Sequence, residues 1–155
     1  MKVGLISDTH DNLPQIEKAV GFFNDKGVNF VIHAGDFVAP FSVALLSKLN
    51  CDWVGVYGNN DGEKEGLLQK SDGRIKGEIA EVELEGKRIL VIHDLSKYDG
   101  KEADVVVFGH THKAEVKREG GRLFVNPGEC GGWLYGKSTV AILDLSELKV
   151  DFIEL

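Results

Sequence analysis

The sequence predicts an α/β fold in which a mixed sheet, or two stacked sheets, is flanked by helices. Three observations carry that prediction. Short apolar, β-branched runs recur along the chain and stop at Gly, Asp or His. Stretches of helical periodicity separate the first three runs, and the second half alternates apolar and polar residues around tight turns.

The first run, Val3-Gly4-Leu5-Ile6-Ser7, ends at Asp8-Thr9-His10. Asn12 then offers a helix cap with Pro14 in the first turn, and Ile16, Ala19, Val20 and Phe23 recur at helical spacing up to Gly27. Phe30-Val31-Ile32-His33 follows and runs into Ala34-Gly35-Asp36, completing a β-α-β unit. Pro40 opens a second helical stretch with Phe41, Ala44, Leu45 and Leu49 on one face. It delivers the chain to Trp53-Val54-Gly55-Val56-Tyr57 and the turn Gly58-Asn59-Asn60-Asp61. Helical crossovers of this kind predict that the first three strands are parallel.

Further on, Ala80, Val82 and Leu84 alternate with Glu81, Glu83 and Glu85, which reads as a strand with a wet acidic face. Gly86-Lys87 turns the chain back into Ile89-Leu90-Val91-Ile92, which stops at His93. Val105-Val106-Val107-Phe108 stops at Gly109-His110-Thr111-His112. Residues 115–118 and 123–125, joined through Gly120-Gly121, read as a hairpin, and 139–143 with 150–152 as another.

At 155 residues and 43% hydrophobic, the chain is expected to form one domain, 1–155, whose core needs no disulfide. Cys51 and Cys130 lack CxxC spacing and read as ordinary thiols. No apolar run approaches a signal sequence or the roughly 20 residues of a membrane span. The expectation is a soluble cytoplasmic protein. A net charge of −7 opposes non-specific binding to nucleic acid or anionic lipid, so a phosphate-bearing partner would need local positive charge.

That charge has an obvious source. Polar residues just past strand C-termini are where open α/β sheets build their sites, and five runs here end on groups that bind metals. Asp8, His10, Asp36, Asn59, His93, His110 and His112 offer seven oxygen and nitrogen donors with no thiolate among them. The mix suits Mn, Fe, Ni or Zn in an open catalytic site better than a closed structural zinc. A single strand-end Asp or His is more often a cap or a hydrogen-bonded turn residue. Five ends together reverse that balance. Seven donors also exceed the needs of one ion that keeps positions free for water and substrate. A carboxylate such as Asp36 can bridge two ions, which makes two metals the economical reading.

The order and spacing of Asp8-x-His10, Gly35-Asp36, Gly58-Asn59-x-Asp61, His93 and Gly109-His110-x-His112 resembles the calcineurin-like metallophosphoesterase family, in particular its small single-domain phosphodiesterase branch of archaea and bacteria. The resemblance runs from Asp8 to Asn126-Pro127-Gly128. It implies a four-layer α-β-β-α sandwich of two mixed β-sheets flanked by helices. It also implies two divalent ions, with Mn the first choice and Ni, Fe or Zn as alternatives. One ion would take Asp8, His10, Asp36 and His112, and the other Asp36, Asn59, His93 and His110. The implied reaction is hydrolysis of a small phosphoester by in-line attack of metal-bound hydroxide, with Asp36 and Asn60 as catalytic residues. Phosphodiesters are the expected substrates, a phosphomonoesterase or nucleotide phosphatase is the rival, and a non-catalytic scaffold is a more distant one. A homo-oligomer is compatible with all three.

The chain departs from the family pattern in places. Most relatives carry His where Asn60 stands; an amide donates a hydrogen bond but gives up no proton near pH 7, which favours substrates with good leaving groups. Asp94 after His93 either caps a helical turn or adds negative charge beside the second ion. Glu129 follows Asn126-Pro127-Gly128 and receives no role. His33 reads as a packing residue or one that orients a ligand carboxylate, and Trp133 and Tyr135 are expected to pack in the core, with the site mouth or a subunit contact as alternatives.

Overall fold

The structure, a computed structural model, describes residues 1–155. The elements are β1 (Lys2–Ile6), α1 (Leu13–Asp25), β2 (Phe30–His33), α2 (Pro40–Val43), β3 (Asp52–Gly55), α3 (Lys64–Lys70), β4 (Ile79–Leu84), β5 (Lys87–Ile92), β6 (Val105–Val107), β7 (Ala114–Glu119), β8 (Arg122–Pro127), β9 (Thr139–Asp144) and β10 (Lys149–Glu154). They form two five-stranded sheets, in the orders β10-β9-β1-β2-β3 and β4-β5-β6-β8-β7. Both sheets are mixed. β1, β2 and β3 pair in parallel, as do β5, β6 and β8, while β9, β10, β4 and β7 pair antiparallel at the margins.

Period-2 alternation assigns each strand's side chains to a layer. Val3, Leu5, Ile32 and Val54 of the first sheet meet Ile89, Val91, Val105, Val107, Leu123 and Val125 of the second, forming the core between the sheets. The opposite face of the first sheet, with Ile6, Val31 and Trp53, is covered by Ile16, Ala19, Val20 and Phe23 of α1, Val43, Leu46 and Leu67. On the outer face of the second sheet, Leu90, Ile92, Val106, Phe108 and Phe124 are covered by Leu95 and Tyr98. That fourth layer is thin, since its only helical turn is a 3-10 turn at Leu95–Lys97.

The fold is the expected α/β sandwich, and its differences from the sequence reading are local. The stretch after Pro40 holds one α-helical turn and then tightens into a 3-10 helix at Ala44–Lys48. Asn12 does not cap α1 with its side chain; its Nδ2 donates to the carbonyl of Gly131 at 2.7 Å and ties the two segments together. α3 had no sequence signal, because within Lys64–Lys70 only Leu67 is buried and no apolar periodicity can develop over seven residues. No helix is long and apolar enough to cross a membrane.

Candidate metal centre

Parallel pairing aligns the C-terminal ends of β1, β2 and β3 in the first sheet and of β5 and β6 in the second, and each end delivers donors to one cluster. Asp8 and His10 follow β1, Asp36 follows β2, Asn59 follows β3, His93 follows β5, and His110 and His112 follow β6. Their backbone is bent to aim them. Asp8 (φ 51°), His10 (40°), Asp36 (61°), His110 (72°) and His112 (64°) all lie in the left-handed region, as do the neighbours Asp11 (57°) and Val38 (86°). Residues outside Gly in that region cost on the order of 1–3 kcal/mol each and gather at functional sites. Backbone hydrogen bonds hold them there: Asp8 N–H to Gly35 O at 2.9 Å, and His10 N–H to Asp36 O at 3.1 Å. Two glycines make room. A Cβ on Gly58 would stand 2.1 Å from Asp36 Oδ1, and one on Gly109 would stand 2.6 Å from Asp8 Oδ2.

Asp8 is fully buried, and its two oxygens have different fates. Oδ2 accepts from Ser7 Oγ at 2.7 Å and from the His110 backbone N–H at 3.1 Å. Oδ1 has no hydrogen-bond partner. It faces His112 Nε2 at 3.4 Å and His10 Nε2 at 3.8 Å, and His10 Nε2 in turn lies 3.2 Å from Asp36 Oδ2. Ligand atoms of Asp8, His10, Asp36 and His112 all fall within 4.8 Å of one another.

On the other side of Asp36 stand His93, Asn59 and His110. His93 Nδ1 is 2.8 Å from the carbonyl of Ala34, an acceptor only, so Nδ1 carries the proton and the neutral ring points a bare Nε2 at Asn59 Oδ1, 2.9 Å away. His110 Nδ1 approaches the same oxygen at 3.0 Å, and Asp36 Oδ2 is 3.4 Å from His93 Nε2. Lone pairs facing one another at these distances repel unless a proton or a metal ion lies between them.

Protons meet that demand when no metal is bound. The His10 imidazole is pushed up to about 10, chiefly by the Asp36 carboxylate beside it and then by Asp8. His93 also rises: burial works against its charged form, but Asp36 more than compensates. Burial would lift Asp36, yet its contacts with His10 and His93 hold it well below the usual carboxylate range. A set of carboxylate, amide and imidazole donors competing for shared cations, with a buried oxygen left unpartnered, fits a divalent metal.

All seven sequence-predicted donors therefore converge. Asn60 lies beside them with its backbone N–H and Nδ2 donating to Asp36 Oδ1 and Oδ2 at 2.9 and 2.8 Å. His33 stacks on Phe37 with ring centroids 3.7 Å apart, accepts the Gly35 N–H at Nδ1, and meets Thr9 Oγ1 at 3.1 Å. It packs and shapes the turn before Asp36 without touching that carboxylate. Asp94 caps the 3-10 turn by accepting from Ser96 N–H and Oγ. Cys51 and Cys130 are free, and burial pushes the Cys130 thiol up to about 12.

Two supporting residues had no assigned role in the sequence. Asp61 is buried and accepts the N–H groups of Asp36 (3.0 Å), Gly58 (2.7 Å) and Val38 (2.7 Å), fixing the turns that carry Asp36 and Asn59. Its place three residues after Gly58, in a Gly/Asn turn, was the available signal. Glu129, also buried, receives His112 Nδ1 at 2.7 Å and the backbone N–H of Leu134 and Tyr135. The expectation that Trp133 and Tyr135 pack in the core is incorrect: Trp133, Leu134 and Tyr135 are 67%, 63% and 51% exposed. Their loop is held by polar tethers, with Trp133 Nε1 donating to His10 O at 3.1 Å.

Residues 1–148 match the model of the calcineurin-like phosphoesterase superfamily domain. The chain belongs to that superfamily. Phosphodiesterase MJ0936 of Methanocaldococcus jannaschii is 40% identical over 154 residues, covering 93% of each chain. Phosphodiesterase YfcE of Escherichia coli strain K12 is 29% identical over 83% of this chain and 78% of its own. Among solved structures, one described as a novel archaeal phosphodiesterase superposes with a TM-score of 0.91 at 38% identity over the whole of both chains. Vps29 of Entamoeba histolytica complexed with zinc shares the fold, with a TM-score of 0.64 at 19% identity over 100% of this chain and 98% of its own. As a calcineurin-like phosphoesterase with a preformed group of metal donors, the chain is a metal-dependent phosphoric ester hydrolase.

Proposed function

We propose that this calcineurin-like phosphoesterase is a dinuclear phosphodiesterase in which Asp36 bridges two divalent ions, Mn being the first choice. One ion would be held by Asp8, His10, Asp36 and His112, the other by Asp36, Asn59, His93 and His110. The observation that carries this reading is Asp36 Oδ2, flanked by His10 Nε2 at 3.2 Å and His93 Nε2 at 3.4 Å, with a separate donor group behind each imidazole. Two bound ions would supply a water of near-neutral pKa and a clamp on the attacking and leaving oxygens of an in-line displacement at phosphorus.

The chain's own residues define the rest. Asn60 holds both oxygens of Asp36 and offers no proton to a leaving group, so esters that leave as weakly basic oxides are favoured. The phosphodiester preference has the support of relatives named phosphodiesterases at 40% and 29% identity. The fold alone also admits a non-catalytic scaffold, but a scaffold has no use for seven converging donors, five of them on strained backbone. The free cysteines fit a reducing, cytoplasmic compartment.

The test is to strip the protein of metal, restore Mn, Ni, Fe, Zn or Mg singly, and compare an aryl phosphodiester with the aryl monoester of the same leaving group. The reading expects metal-dependent turnover and a higher kcat/KM for the diester. A higher value for the monoester would establish the phosphatase alternative, and no metal-dependent turnover of either would favour the scaffold.

A further inference from the structure

Three large apolar side chains in succession, all more than half exposed, are unusual on a protein surface, and an exposed indole calls for a partner. Here the exposed loop is part of the rim of the donor cluster. Gly131 N–H donates to Asp8 O at 3.0 Å, and a Cβ on Gly131 would press against the carbonyls of Asp8 and Thr9 at 3.0 Å. The glycine lets the loop sit directly on the backbone that presents Asp8 and His10. Beyond it, Trp133 Nε1 is tied to the carbonyl of His10, and Glu129 grips Leu134 and Tyr135 by their N–H groups while holding His112.

These tethers order the loop before any ligand arrives. A flexible exposed tryptophan would lose conformational freedom on binding, whereas one tethered at Nε1 and through its neighbours has already lost it. The same rim carries positive charge, because Lys113, next to His112, places Nζ 5.8 Å from the centre of the Tyr135 ring. An exposed indole, with a lysine over the ring of Tyr135 in the same loop, on the shoulder of a site for a phosphoryl group, matches a ligand with an anionic centre and an aromatic substituent.

We propose that Trp133 is a specificity-determining residue that stacks on an aryl or nucleobase group of the phosphodiester. The inference rests on the phosphodiesterase reading above and names the class of ester that reading leaves open. Trp133 selects, and the Glu129 tether keeps it in register with the donors.

The experiment uses Mn-loaded protein and two monoanions with no P–O–C bond to cleave, diphenylphosphinate and dimethylphosphinate, with equilibrium binding measured by calorimetry. Stacking on an aromatic side chain is worth ~1–3 kcal/mol, so wild type should bind the aromatic probe roughly 5- to 150-fold more tightly than the methyl one. Trp133→Ala should remove that preference without changing bound Mn or affinity for the methyl probe, and Trp133→Phe should restore most of it. An unchanged preference in Trp133→Ala would overturn the proposal, and so would equal loss for both probes. A dimer that becomes a monomer in Trp133→Ala, with the preference intact, would assign the loop to a second copy of the chain and overturn it as well. Turnover of bis(4-nitrophenyl) phosphate is measured alongside. A Trp133-dependent aromatic preference without turnover would sink the phosphodiesterase reading while retaining the recognition surface.

Discussion

The two donor groups around Asp36 differ in charge and in depth. On one side, His10 and His112 face two carboxylates, Asp8 and Asp36, which are 0% and 1% exposed. On the other, His93 and His110 share the neutral amide oxygen of Asn59, and the carboxylates nearest His93 Nε2 are Asp36 at 3.4 Å and, more distantly, Asp8 at 3.9 Å, with Asn59 and His110 exposed. Coulomb attraction grows as burial lowers the effective dielectric, so the first group should hold a cation more strongly. Its support is also denser. His112 is braced by Glu129, and Asp8 by Ser7 and the His110 N–H. On the second side only His93 has a matching brace, through Ala34 O. A dinuclear centre of the kind proposed would thus contain a tight position and a readily exchanged one, separated by a single carboxylate.

The most severe way to break this asymmetry is to remove what the two groups share. Asp36→Asn keeps the shape but deletes the charge that faces His10 and His93. It should lose most bound metal and lower kcat/KM by on the order of 10³-fold, the equivalent of several kcal/mol of charge stabilisation. Metal analysis after dialysis checks it. Two retained ions with full activity would disprove the bridge.

The next contrast sets the groups against each other. His110→Ala should release the exposed ion and leave about one per chain, whereas His112→Ala should weaken the buried position by more than the roughly 10–100-fold that losing an outer partner costs. A manganese titration resolves the two steps. Equal loss from both variants would mean that the two positions fill as one.

Glu129→Gln sharpens the comparison further, because it touches only the first group. Its carboxylate fixes the proton on His112 Nδ1 and so leaves Nε2 free to face Asp8. Replacing it should cost about 10–100-fold in metal affinity at that position alone. It should also lower the melting temperature, since backbone donors of the 134–135 segment lose a charged acceptor worth about 1.5–3 kcal/mol per hydrogen bond. A change at the exposed position instead would show that the tether acts elsewhere.

How much of this was legible in the sequence follows from the range of each interaction. Strands and donors could be read because both are written locally: a β-branched run fixes the strand, and the residue after it falls on the sheet edge. α3 was missed because a seven-residue helix with one buried side chain has no period to detect. Glu129 could not be assigned because its partner lies 17 residues away and meets it only once the loop folds back. Trp133 was misjudged on hydrophobicity. Its position is set by a hydrogen bond to His10, 123 residues away, which composition cannot show.

The smallest expected effect is at Asn60, which both groups feel only through Asp36. Its backbone N–H to Asp36 Oδ1 is kept in Asn60→His, and only the Nδ2 contact to Oδ2 is lost. Asn60→His should therefore leave metal content unchanged and alter turnover of an activated aryl diester little, since an aryl oxide departs without a proton. An imidazole can deliver the proton that the amide cannot, so an alkyl diester with a basic leaving group should gain, by up to about tenfold, or ~1.4 kcal/mol. The full imidazole contribution is not expected, because the ring would enter a position shaped for an amide bound to Asp36. Comparing kcat/KM for the two leaving groups in both proteins isolates the effect. The same factor on both leaving groups, or metal lost from the variant, would mean that Asn60 acts only by holding Asp36 in place.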